Sequence, residues 1–251
     1  MSELPYSYLE IPEQCLIEKR VYKKLFCENA RLTATDRKWF TKDINSVRWI
    51  YSLKPSDTLI HAYKEENYTY DEIAVIEVEL KNDHHVKRLA DIIHRVIPYP
   101  LLIVFKDEDW VHLSVADKRF NLADHQAATL SELWMTDRLT KDDYGGTEQK
   151  FLQQLSYSRQ PRLHMKLFYE GWIQAFIAYK ISRISGEYTL PDSDQEKQKQ
   201  VNALKEYRRL DQKIAELKTE LNKQEAFNEK VKLNVDIKKL EKQRKQIAEK
   251  L

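Results

Sequence analysis

Glycine is scarce. The 251 residues contain four, at positions 145, 146, 171 and 186. A dinucleotide-binding fingerprint needs three closely spaced glycines, and a phosphate-binding loop needs a Gly-Lys-Ser/Thr end. Neither is present, so nucleotide hydrolysis and a Rossmann-type redox cofactor are not expected. Cys15 and Cys27 are the whole cysteine complement, too few for a disulfide framework or a thiolate zinc site. No stretch reaches about 18 uninterrupted apolar residues. The opening MSELPYSYLEIPEQ lacks the basic start and apolar run of a signal peptide. A reduced, soluble, cytoplasmic protein is expected. No Gly-x-Ser-x-Gly or Cys-His arrangement supports a hydrolytic nucleophile. His84 and His85 are adjacent and point apart. His61, His94, His112, His125 and His164 lack metal-type spacing, so scattered packing or surface histidines are expected.

Charge, by contrast, is abundant at 33% of residues. It is also uneven: residues 196–251 hold 16 Lys/Arg against 10 Asp/Glu, a net +6, whereas the remainder holds 26 against 30. A basic tail on an acidic body is either ordinary helix solvation or an attraction to nucleic acid or an acidic partner.

Periodicity places the elements. Residues 13–30 read as a helix with Leu16, Val21, Leu25 and Phe26 apolar. Thr35 is a candidate N-cap for DRKWFTKDIN, with Asp36 in its first turn. VRWIYSL (47–53) reads as a strand, Lys54-Pro55-Ser56-Asp57 as a turn, and TLIHAY as a shorter strand. EIAVIEVELK (72–81) alternates with period two. Its one face is Ala74, Ile76, Val78 and Leu80; the other ends in Glu77, Glu79 and Lys81. Asp83 can cap a helix over 84–96 with Val86, Leu89, Ile92, Ile93 and Val96 inward. LLIVF (101–105) suits a strand buried on both faces, and WVHLSVA its hairpin partner. Residues 72–105 therefore form a β-α-β unit. After Gly145-Gly146 the chain turns helical, with Pro161 opening a helix to about residue 184. Arg162, Lys166, Glu170 and Gln174 make its narrow polar stripe. The five tryptophans sit inside apolar patterns and are expected in the core. The fold class expected is a mixed α/β body over 1–185 with a four- to six-stranded sheet, a linker over 186–195 (GEYTLPDSDQ), and a charged coiled-coil-type helical tail over 196–251.

The tail has no Gly or Pro. Leu210, Ile214, Leu217 and Leu221 recur at threes and fours. Phe227, Val231, Ile237 and Leu240 continue the pattern after a phase shift near 224–228. Polar Gln224, Asn228 and Asn234 fall on or beside this seam. The tail is either one helix about 85 Å long or two halves folded back as a hairpin. Either way the stripe is too narrow to stand alone in water and must pack on itself, the body, a second copy or another protein. Leu210, Ile214, Leu217, Leu221, Phe227, Asn228, Val231, Asn234, Ile237 and Leu240 are its candidate partner-binding residues.

One constellation could carry chemistry. The order of elements over 35–105 resembles the core of the PD-(D/E)xK nucleases, in which an Asp starts one strand and a Glu-x-Lys lies on the next. Pro55-Ser56-Asp57 and Glu79-Leu80-Lys81 match that pattern. Asp57 and Glu79, with Glu77 as a further ligand, would hold Mg²⁺ while Lys81 stabilised the attacking water. Against this, Pro-Ser-Asp is a common turn, and alternating Glu, Glu and Lys is what an exposed strand face shows.

Four segments carry a second resemblance: SVRWIYSLKPSDTLI (46–60), VIEVELK (75–81) with its helix, VIPYPLLIVF (96–105) and KQEAFNEKVKLNVDIKKLEKQ (223–243). Together they resemble a bacterial family known as domain of unknown function 4391. The resemblance implies a setting beside helicases and DNA methyltransferases in restriction-like, anti-phage defence regions. It brings no catalytic residues and no cofactor. Pro100 stands where the family pattern leads one to expect a polar residue. The expectation is a non-catalytic accessory subunit docking on a helicase or methyltransferase through its tail. A metal-dependent nuclease and a nucleic-acid-binding module are the alternatives.

Overall fold

A computed structural model describes residues 5–29, 32–65, 68–120, 128–140 and 146–251. The chain divides into two compact units, Met1–Phe176 and Ile177–Leu251. The first is mixed α/β. Its elements run α1 (Tyr6–Leu9), a 3₁₀ turn (Glu13–Cys15), β1 (Leu16–Arg20), α2 (Lys23–Asn29), α3 (Ala34–Lys42), β2 (Ile44–Leu53), α4 (Pro55–Thr58), β3 (Tyr63–Glu65), β4 (Tyr68–Tyr70), β5 (Ile73–Leu80), α5 (Val86–Val96), β6 (Leu101–Lys106), β7 (Trp110–Phe120), β8 (Ala128–Met135), β9 (Leu139–Thr140), α6 (Thr147–Gln154), a 3₁₀ turn (Tyr157–Arg159) and α7 (Met165–Ser185), which runs on into the second unit.

Seven strands form the main sheet in the order β1-β2-β5-β6-β7-β8, with β9 beside β7; β3 and β4 form a separate ribbon. β5 and β6 are parallel, from Ala74↔Leu101 to Glu79↔Lys106, and α5 is the crossover that parallel neighbours require. Every other pairing in the sheet is antiparallel. The expected β-α-β unit is present. Leu101 to Phe105 are fully buried, and β5 is buried on both faces. One face packs Ala74, Ile76, Val78, Leu80, Ile103 and Phe105 against Leu89, Ile92 and Ile93 of α5 and Phe26 and Phe40 of α2 and α3. Burying each such aliphatic side chain contributes about 1.5–3 kcal/mol.

Several expectations are corrected. The helix expected over 13–30 is instead a 3₁₀ turn, an edge strand and α2. β1 is exposed along most of its length, so its apolar pattern did not mark it; hydrogen bonding to β2 did, with an irregularity at Glu18, whose φ is 52°. The N-cap of α3 is Thr33, not Thr35. Thr33 Oγ1 accepts from the Asp36 amide at 3.1 Å, and the Thr33 amide donates in turn to Asp36 Oδ2, a reciprocal box. TLIHAY is a strand only at its last residue, Tyr63, which opens β3; before it come α4's last residue, an αL Leu59 and an isolated bridge between His61 and His164. α7 begins at Met165, after Pro161. Gly171 explains the delay, because a Cβ there would overlap Gln160 Oε1 and come within 3.1 Å of Pro161 Cδ. The chain preceding α7 thus lies against the helix rather than extending it.

The β6–β7 ladder pairs Ile103–Lys106 with Val111–Ser114. Beyond it the Tyr169 hydroxyl of α7 accepts from the Ala116 amide at 3.0 Å and lies 2.8 Å from Leu101 O. Burial pushes that phenol's pKa upward.

The second unit ends in α8 (Asp194–Lys223) and α9 (Phe227–Ala248). Ser193 caps α8 by accepting from the Glu196 amide at 3.2 Å. Lys218 pairs with Glu241 at 2.7 Å, and Arg244 meets both Asp211 and the Tyr207 ring. These pairs fix the two helices as antiparallel. Of the two arrangements left open by the pattern, the hairpin is the one observed. Its bend occupies 224–226, where Gln224 Oε1 accepts from the Glu225 and Ala226 amides.

Candidate functional site

β5, which carries Glu77 and Glu79, is not an exposed strand, whereas Lys81 lies just past its end and is exposed. Glu77 is 4% exposed. It accepts from Tyr6 Oη at 2.7 Å, pairs with Lys106 Nζ at 2.8 Å and has Arg48 Nη1 at 3.9 Å. A buried carboxylate persists when cations and donors surround it in this way. Burial, then the neighbouring Glu77 charge, drives the Tyr6 phenol's pKa far upward. Glu79 accepts from Ser46 Oγ at 2.9 Å, and the Lys81 amide donates to Asp43 O at 2.8 Å.

Asp57 is elsewhere. In the β2–β5 ladder Leu53 faces Ile73 and Ser46 faces Glu79. Asp57, in α4 after Leu53, lies instead beside the 3₁₀ turn before β1, where Gln14 Nε2 donates to its backbone carbonyl at 3.1 Å. Its carboxylate accepts from Ser56 Oγ. The residue facing Glu79 from the start of the neighbouring strand is Ser46, which is no metal ligand of the expected kind. Glu77, Glu79 and Lys81 are neighbours; Asp57 does not join them. Among the described residues no group of three or more His, Cys, Asp or Glu is placed to hold a metal ion.

The carboxyl ends of β5 and β6, where open α/β sheets usually bind ligands, carry a cluster that no local motif marks. Asp83 does not cap α5 with its side chain; it faces His112 Nε2 at 3.6 Å and Arg138 at 3.7 Å. Arg138 also lies over the Trp110 ring. His85 Nδ1 is 2.8 Å from Asp43, with Trp39 stacked on its ring at 4.0 Å. Deeper in the same unit, Lys118 is 3% exposed and donates to Ile97 O at 2.8 Å and Tyr99 O at 2.5 Å. It ties the carbonyls after α5 to β7. Burial, and secondarily the Lys118 charge, lowers the His94 pKa, and the ring rests 3.1 Å from Ser114 Oγ. Burial lowers Lys118 as well. A lysine inside a strand reads as surface; the irregularity between Asp117 and Lys118 turns it inward.

A polar cavity of about 350 Å³ is lined by Ser7, Tyr8, Glu10, Gln153, Ser156 and Arg159. Glu10, at φ 47°, accepts from Ser156 and Ser158 hydroxyls there.

The tail residues separate into two sets. Leu210, Ile214 and Ile237 are buried; Leu217, Leu221 and Leu240 are half-buried. Phe227, Val231 and Val235 are 77%, 47% and 61% exposed. Asn228 and Asn234 are exposed too. Spacing of four puts the exposed apolar three on one side of α9.

The family model described as domain of unknown function (DUF4391) matches residues 9–243. The chain belongs to the DUF4391 family. No curated protein and no solved structure matches it. The DUF4391 match runs from the end of α1 into the last turns of α9, so both the sheet end and the exposed apolar side of the hairpin belong to the family's own span. Among the described residues no helix is long and apolar enough to cross a membrane.

Proposed function

We propose that this DUF4391 protein is a non-catalytic adaptor that docks on another protein through its helical hairpin, packed in coiled-coil fashion. The observation carrying this reading is the exposed row Phe227, Val231 and Val235. The hairpin's own seam is filled by Leu210, Ile214 and Ile237, so the row is surplus to the packing of α8 on α9. Large apolar side chains aligned on a solvated helix mark interaction surfaces. The reading also draws on the sheet. Glu77 and Glu79 are engaged by Tyr6, Lys106 and Ser46, and Asp57 sits in α4 beside Gln14, which supports the docking reading over the nuclease alternative. The partners expected are a helicase or DNA methyltransferase subunit, as the family resemblance implies.

The test is co-expression with such a subunit and recovery of the complex by affinity purification. Phe227→Asp, Val231→Asp and Val235→Asp together should lower recovery at least tenfold with helicity by circular dichroism unchanged. Recovery equal to wild type would refute docking through this face.

A further inference from the structure

The side of α9 that carries Phe227, Val231 and Val235 continues with charge of a single sign. Steps of seven lead from Val231 to Lys238, from Val235 to Lys242 and from Lys238 to Lys245, all on the same side. All three lysines are exposed. The other carboxylates of α9 lie elsewhere or at its very end: Glu229 is held by Lys232, Asp236 falls on another side, Glu241 pairs across the seam with Lys218 while feeling the Lys238 charge, and Glu249, the C-cap four residues after Lys245, closes the cationic run. Among the described residues, Lys242 and Lys245 have no carboxylate within ion-pair range. The face is therefore apolar over its first two turns and cationic over the next two.

That order discriminates between occupants. A second copy of the chain fits poorly. Paired in parallel, lysines would oppose lysines; paired antiparallel, lysines would sit on the apolar row. A nucleic-acid backbone would satisfy the lysines but leave Phe227, Val231 and Val235 against phosphates. A helix with an apolar ridge followed by Asp or Glu matches both halves. We infer that the outer face of α9 receives an amphipathic helix of a partner protein, apolar at one end and acidic at the other. This rests on the docking function proposed above and specifies its partner's chemistry.

The full chain would be titrated against fluorescently labelled helical peptides of about 20 residues, followed by anisotropy. One peptide carries leucines at intervals of four and then glutamates; in the second, lysines replace the glutamates. A third probe is a DNA duplex of about 20 base pairs. The acidic peptide should bind about threefold to a hundredfold more tightly than its lysine counterpart, the range that three exposed rim ion pairs give. Raising salt from ~50 to ~500 mM should erase most of the difference. Lys238→Glu, Lys242→Glu and Lys245→Glu together should invert it. Equal binding of both peptides, abolished by Phe227→Asp, would overturn the charge assignment and leave the docking face standing. Binding of neither peptide, duplex binding stronger than peptide binding, or dimerisation blocked by Phe227→Asp would also overturn it.

Discussion

Replacing Arg88 with Met should destabilise the α/β unit strongly at neutral pH and hardly at all in acid. Arg88, in the crossover helix α5, holds Asp36 of α3 with two bonds of 2.9 Å, Nε to Oδ1 and Nη2 to Oδ2. The Asp36 side chain is 3% exposed and that of Arg88 45%. Met removes the guanidinium and leaves a buried carboxylate with only its Thr33 partners. Unpairing a buried charge costs about 3–5 kcal/mol. The half-exposed arginine leaves a route for water, so the low end applies, about 3 kcal/mol. For a unit of this size that is a fall in Tm of about 6–12 °C. The Arg88 hydrogen bonds hold the Asp36 carboxyl far below the usual carboxylate range. A depressed folded pKa gives stability that is complete above the unfolded value, about 3.9, and lost as pH falls towards the folded one. The gap between wild type and variant should therefore be full at pH 7 and shrink below about pH 4. Asp36→Asn combined with Arg88→Met should recover part of the loss at pH 7. All five tryptophans lie between positions 39 and 172, so tryptophan fluorescence in urea follows the α/β unit without interference from the hairpin. A loss under about 0.5 kcal/mol at pH 7, or one undiminished in acid, would refute the pairing argument.

Gly171→Ala should cost about 1–3 kcal/mol by overpacking against Gln160 and Pro161, read from the same urea curves, whereas Gly146→Ala meets no neighbouring atom and should cost only the backbone strain of its φ of 66°, about 1–2 kcal/mol. Glu77→Gln should lower stability by about 1.5–3 kcal/mol through its Lys106 and Tyr6 bonds; a stability equal to wild type would mean that the carboxylate is held for some other purpose. Ile237→Ala, 5% exposed on the hairpin seam, should cost about 2–5 kcal/mol and reduce helicity at 222 nm, whereas Val235→Ala should leave helicity unchanged.

What could be read from the sequence tracks how local the cause is. β5, α5 and β6 announced themselves because the period-two run, the 3.6-residue run and the continuous LLIVF run each report burial on their own faces. The phase shift at 224–228 located the bend of the hairpin, though not the choice between bend and straight helix; that choice depends on cross-helix pairs such as Lys218–Glu241. β1 was missed because an edge strand with almost no buried side chain leaves no apolar signature. TLIHAY has strand-like residues, but Leu59 takes an αL conformation that interrupts it. The strand ending at Leu53 and the turn holding Asp57 were legible, but the register was not: composition and spacing do not say that Ser46, at the other end of β2, is the residue facing Glu79. Glu77 looked solvated because Tyr6 and Lys106 reach it from 71 and 29 residues away. The division of the tail's apolar residues into a seam and an exposed row likewise needed the fold of the hairpin.

Amide hydrogen exchange on the full chain, alone and bound to a co-expressed helicase or methyltransferase subunit, tests the adaptor function most directly. The exposed helix α9 has few buried contacts to slow its opening, so its amides should exchange quickly when free. In the complex, exchange over residues 227–242 should slow at least tenfold while residues 77–85 at the sheet end stay unchanged. Protection confined to 77–85, with 227–242 exchanging as in the free chain, would contradict the account.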